Sequence, residues 1–136
     1  MVHALREVHR VLRPGGIVVD LRPAAEHRRI GLGRDRRWRH VGRTHETFEK
    51  DRAADRAVTS VLRAGLFVRG RRAEFLVDRE MDTMDDFVAW LTDFGERRTL
   101  ASHAGLIARL ERGLAARPRP IVARGRVTLQ LLHKPA

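Results

Sequence analysis

Few residues of this sequence combine type and spacing in a way that chemistry could use. Asp20 and Arg22 close a short apolar run. In an open α/β sheet that position faces the ligand crevice beyond the carboxyl ends of the strands. The two could meet a substrate there, or simply pair with each other where a loop begins. Arg36, Arg37, Trp38 and Arg39 set an indole among guanidiniums. That set can stack a base and hold phosphates, although a hairpin tryptophan packed on a sheet is the preferred reading. His27, His40 and His45 share the same basic stretch, but their spacing fits no metal motif and they read as surface histidines. Asp82, Asp85 and Asp86 stand where a helix N-terminus favours negative charge. Gly31-Leu32-Gly33 is the nearest approach to a glycine-rich cofactor loop, yet arginines follow it instead of a helix start, so it reads as a turn. No nucleophile can be matched with a base. No catalytic, cofactor-binding or metal-ligating residue is assigned.

Composition narrows the classes further. The chain has 136 residues and a hydrophobic fraction of 43%, enough for one core, and it reads as a single domain spanning 1–136. It contains no cysteine, which excludes a disulfide framework and a zinc–thiolate site. No apolar run is long enough to cross a bilayer. Charged residues interrupt the N-terminus where a secretory signal would need an apolar stretch, so a cytoplasmic location is expected. The net charge is +11. Lys50 and Lys134 are the only lysines, so the charge is carried by arginine spread along the chain. That bias favours codon composition over nucleic-acid binding as its origin, with phosphate polyanions the competing reading.

Periodicity supplies the elements that must position these residues. Ala4, Leu5, Val8, Val11 and Leu12 recur at helical spacing, and Pro14-Gly15-Gly16 ends the helix. Residues 17–21 are apolar and β-branched except Asp20, which predicts a strand buried on both faces. Segment 28–43 carries seven arginines against Asp35 alone; within it, 30–33 and 37–42 could pair as a hairpin. A long helix is predicted over 47–64, with Thr44 or Thr47 as cap, Glu46, Glu49 and Asp51 at its positive end, and Gly65 as its stop. A turn at Gly70 and a strand over 73–79 follow. Thr83 opens a helix with Phe87, Trp90, Leu91 and Phe94 as its apolar stripe, ended by Gly95. Another helix covers 100–116 before Pro118 and Pro120 break the pattern. Residues 121–122 and 126–133 make the last strand.

Glu7, Arg10, Val11, Leu12, Arg13, Pro14, Gly15 and Gly16 match, position by position, an E-x-x-R-V-L-[KR]-P-G-G stretch. In class I (Rossmann-like) S-adenosylmethionine-dependent methyltransferases this stretch leads into the fifth of seven strands, and the chain resembles the C-terminal portion of that family. The rest of the chain is similar in layout only. The resemblance implies an α/β fold built from the fifth to seventh strands, the last two antiparallel and usually with the seventh between the fifth and sixth. Flanking helices and a hairpin insertion complete it.

The family's cofactor loop and its ribose-binding acid would lie upstream of Met1. S-adenosylmethionine is therefore implied for the complete fold but not bound by this chain alone, which is expected to be inactive by itself. One edge of strand 17–21 would be exposed, inviting a homodimer or a complementing N-terminal half. Two alternatives stand beside this reading: a non-enzymatic oligomeric interaction module, and a nucleic-acid binder acting through segment 28–43. The sequence does not name a methyl acceptor.

Overall fold

The computed structural model describes residues 1–93 and 98–136. Phe94 and Gly95, expected to finish a helix, lie outside the described residues. The elements run α1 (Val2–Val11), β1 (Ile17–Pro23), β2 (Arg29–Leu32), β3 (Arg39–Arg43), α2 (Glu49–Arg63), β4 (Val68–Met81), α3 (Met84–Thr92), α4 (Ala104–Ala116) and β5 (Ile121–His133). The class is α/β, with an open antiparallel sheet in the order β1-β5-β2-β3 and with β4 also paired to β5. By its contacts the chain divides into two compact units. The first comprises Met1–Ala25, Phe48–Phe75 and Arg126–Ala136; the second comprises Glu26–Thr47 and Leu76–Gly125.

In the first unit, β1 pairs antiparallel with β5 from Ile17↔His133 to Pro23↔Val127. A Cβ at Gly70 would meet Leu131 and His133, while Arg126 reaches Glu74, so β4 also runs antiparallel to β5. β1 and β4 therefore point the same way, with β5 between them. Helices α1 and α2 pack together on one face, where Leu5, Val8, Leu12, Val58, Val61 and Leu62 meet Val18, Phe67 and Leu132. Burying each large apolar side chain of this kind contributes about 1.5–3 kcal/mol.

The turn after α1 is fastened to the end of β5. Gly15 N–H donates to the Lys134 carbonyl at 3.1 Å, and Lys134 N–H donates to Gly16 at 2.9 Å. The Lys134 ammonium donates to the carbonyls of His9 and Leu12, both at 2.7 Å. These are carbonyls that a helix end leaves unpaired, and a cation there also opposes the helix dipole. Gly15 has φ +73°, the left-handed conformation the reversal needs.

Several expectations are corrected here. Strand 17–21 is not buried on both faces: Ile17, Val19 and Leu21 are 51%, 60% and 56% exposed, because the helices of this unit cover only the opposite face. Val11, placed on the apolar face of the first helix, is exposed as well. Gly70 does not turn the chain. It lies inside β4, where the missing side chain lets His133 approach the backbone. β5 is one strand, not two pieces, since Arg28 fills the space beside Gly125. α2 starts at Glu49 with Phe48 at its cap and no side-chain cap bond.

In the second unit, β2 pairs with β3 and with the first residues of β5. The hairpin is present, but its second strand starts at Arg39 because a 3-10 turn, Asp35–Arg37, intervenes. Ile30, Leu32, Met81, Phe87, Trp90, Leu91, Leu106, Leu110, Ile121 and Ala123 form the core. Thr83 stands at the start of α3 as expected, and caps it in a reciprocal box with Asp86. A single 3-10 turn, Ala101–His103, precedes α4, which begins at Ala104 instead of residue 100.

Two substitutions test these constraints. Gly31→Ala drives a methyl into Trp38 and to 2.6 Å from the Arg39 carbonyl oxygen; a loss of about 1–3 kcal/mol in urea unfolding is expected. Lys134→Met keeps the side-chain bulk and removes the donors to His9 and Leu12. Its expected cost is about 1–2 kcal/mol, read from the same urea midpoints.

Candidate functional site

Asp20 and Arg22 occupy the carboxyl end of β1 and bond each other. Arg22 Nε donates to Asp20 at 2.9–3.0 Å, and its Nη1 donates to Asp55 of α2 at 2.9 Å. This is the ion-pair arrangement. It ties β1 to α2 within the first unit and leaves both residues committed to structural partners.

The second unit holds the other candidates. Trp38 packs flat on the hairpin, where Gly31 has no side chain to displace it. Arg124 lies over the indole at 4.5 Å and Arg29 at 5.9 Å. The Arg124 guanidinium also grips Asp78 through two bonds of 2.7 Å. That hydrogen-bonded pair holds the Asp78 carboxyl below the ordinary aspartate range and raises Arg124, with burial opposing both shifts. Trp38 is thus a packing residue, with one ring face already engaged by a cation. Its Nε1 is buried without a partner in the structure.

Around the hairpin tip, Gly33–Arg37 and Arg39 face Arg117–Pro120 across an open cleft of about 980 Å³. Gly33 N–H donates to the Pro120 carbonyl at 2.9 Å, which fixes the two walls together. Gly33 (φ +90°) and Asp35 (φ +47°) hold the tip in left-handed backbone. Arg34 is occupied by Glu80 at 2.5 Å, and Arg39 donates to the carbonyls of Arg36 and Trp38 at 3.2 Å. Arg36 and Arg37 stand exposed beside Arg117 and the half-buried Arg119. Gly31-Leu32-Gly33 is strand followed by turn, with Leu32 in the core, so these glycines form no cradle for a cofactor. Gly31 and Gly33 therefore do not make the loop that would receive S-adenosylmethionine.

A buried polar cluster was not legible as such. Arg98, 2% exposed, reaches Glu46 at 3.0 Å and lies 4.4 Å from the centre of the Trp90 ring. Glu46 therefore serves Arg98, not the dipole of the following helix. Thr44, read as a possible helix cap, is fully buried. Its hydroxyl accepts from the Arg28 amide at 3.0 Å and donates to Glu46 at 3.1 Å. His103 accepts from His45 N–H through Nε2 at 2.8 Å. Its Nδ1 lies 2.7 Å from the Thr99 carbonyl, which requires the proton on Nδ1. Both ring nitrogens are thereby used in holding backbone. His27, His40 and His45 are exposed, with the rings of His27 and His45 5.6 Å apart. Among the described residues no group of three His, Asp or Glu has the geometry to hold a metal ion.

Sequence reasoning missed Arg117 and Arg119 as partners of the hairpin. The alternation Arg117-Pro118-Arg119-Pro120 was a usable signal, because prolines hold a segment extended and keep its charges apart. It missed Arg98 because nothing local marks a buried arginine. No family model matches this chain, and no curated protein or solved structure matches it. No described helix is long and apolar enough to cross a membrane.

Glu46→Ala strands the Arg98 cation in the core, and a loss of about 3–5 kcal/mol is expected by thermal unfolding. The double replacement Glu46→Leu with Arg98→Met should recover most of that loss. For Asp78, a depressed carboxyl adds stability that is complete above the unfolded pKa and disappears as pH falls through the folded value. Asp78→Asn should therefore flatten stability against pH below about pH 4 and change little of its slope above. Urea midpoints measured from pH 7 to pH 2 read this directly.

Proposed function

We propose that this chain supplies the fifth, sixth and seventh strands of a class I methyltransferase-like sheet and works as the half that a cofactor-binding half docks against. The observation that carries this reading is the strand arrangement of the first unit. β1 and β4 run in one direction with β5 reversed between them, which is the fifth–seventh–sixth order of that family. Three further features support it. The helix, Pro14-Gly15-Gly16 turn and strand follow each other as the family stretch requires. α2 lies between β1 and β4 in the chain, as a crossover helix does. The second unit then corresponds to insertions on either side of that crossover.

The outer edge of β1 has no partner strand among the described residues. A strand edge of this kind offers a row of backbone donors and acceptors to another chain. The exposed Ile17, Val19 and Leu21 stand in register with His133, Leu131 and Leu129 of β5, so a largely apolar sheet face lies beside that edge. A doubly covered α/β sheet buries both faces. Here the face opposite α1 and α2 is where the remaining helices of a complete fold would sit. On this reading the cofactor is held by the complementing half, since Gly31 and Gly33 form no loop for it here.

Without a complementing half, two copies are expected to join edge to edge across a two-fold axis. Light scattering on the eluting peak at micromolar concentration should give a dimer mass. Val19→Arg should return the monomer with an unchanged far-ultraviolet spectrum. A wild-type chain that elutes as a clean monomer would remove the self-association reading. Calorimetry with S-adenosylmethionine should give no heat, and tight binding by this chain would overturn the assignment of its strands to the cofactor-free half.

A further inference from the structure

The cleft beside the hairpin tip is independent of the β1 edge and of the methyltransferase reading. Its walls come from residues 33–37, Arg39 and residues 117–120 and carry six arginines against one acid, Asp35. Arg34 and Arg39 are engaged, the first by Glu80 and the second by backbone carbonyls. Arg36, Arg37, Arg117 and Arg119 make no ion pair with a carboxylate among the described residues, and the Nε of Arg119 is buried with no hydrogen-bond partner. Four guanidiniums gathered in one concavity repel one another. Some arginines elsewhere hold carboxylates, among them Arg22, Arg98 and Arg124. Codon composition explains why the basic residues are arginine. It does not explain why four of them line one cleft with Asp35 the one acid in its lining.

We infer that this cleft binds a linear phosphate polyanion, with Arg36 and Arg37 on one wall and Arg117 and Arg119 on the other. Planar guanidiniums suit the bidentate recognition of phosphate oxygens. A cleft of about 980 Å³ has room for several phosphate groups in succession. The fixed backbone of the walls, the Gly33–Pro120 bond on one side and the prolines on the other, keeps the charges separated before the ligand arrives. Trp38 does not line the cleft, and one face of its ring is taken by Arg124. Recognition is therefore of the phosphate backbone and not of stacked bases. Two sources share this chemistry, a nucleic-acid strand and inorganic polyphosphate.

The test uses the full chain and a labelled single-stranded 12-nucleotide DNA of mixed sequence, followed by fluorescence polarisation across salt concentrations. Binding is expected, with affinity falling steeply as salt rises. Replacing Arg36, Arg37, Arg117 and Arg119 by glutamine should weaken it at least ten-fold and reduce the slope of log affinity against log salt by about 3, since each lost contact with a single strand removes about 0.7. A variant that leaves the half-buried Arg119 in place should reduce the slope by about 2. A charge-matched control, with Arg6, Arg13, Arg56 and Arg63 replaced by glutamine, should stay within about three-fold of the wild type, because these exposed residues do not line the cleft. Equal loss in the cleft and control variants would mean bulk charge only and would overturn the site, as would an unchanged slope or no binding to either polymer. Unlabelled polyphosphate should displace the DNA at equal phosphate concentration. Displacement well below that concentration assigns the cleft to polyphosphate, and failure to displace would show that phosphate is not what is recognised.

Discussion

The backbone hydrogen bonds of β5 are the constraint on which the rest of the structure depends. Buried donors and acceptors must be paired. β5 meets this requirement by pairing with β1, β2 and β4. Each unit contains part of it. Ile121, Val122 and Ala123 are buried in the second unit, and Leu132 and Gln130 in the first. Gln130 reaches the carbonyls of Gly70 and Arg71 through its amide, which keeps a polar side chain satisfied where the strand crosses close to β4.

The Pro14-Gly15-Gly16 turn gains its role from the same strand. A proline and two glycines allow a reversal; they do not aim it. The aim comes from Lys134, whose backbone bonds Gly15 and Gly16 and whose ammonium closes the end of α1. The first turn of the sheet is thus fixed by almost the last residue of the chain. The helix then lies against α2 on one face, and the opposite face is left with Ile17, Val19 and Leu21 in solvent.

The two units manage charge differently. In the first, Asp20, Arg22 and Asp55 neutralise one another at a strand end. In the second, the buried Arg98–Glu46 pair is extended by Thr44 and by the face of Trp90, so that its desolvation is offset by several partners. Arg124 is likewise shared between Asp78 and the Trp38 ring. The four at the hairpin cleft hold no carboxylate among the described residues and share one concavity.

Much of the fold was legible in the sequence, because short-range physics decides it. The spacing of Leu5, Val8 and Leu12, the helix start at Thr83 and the stripe Phe87, Trp90, Leu91 depend on neighbours within a turn or two of helix. What local pattern could not decide was pairing at long range. An apolar run such as 17–21 reads the same whether one face or both are covered, and only the placement of α1 and α2 leaves Val19 bare. Gly70 reads as a turn until His133 lies against it. Arg98 looks like a surface residue until Glu46, 52 positions away, meets it in the core. The anion cleft has the same origin: Arg36 and Arg37 are visible in the sequence, but Arg117 and Arg119 join them only through the tertiary structure, because charges so far apart along the chain meet only where the packed elements carry them.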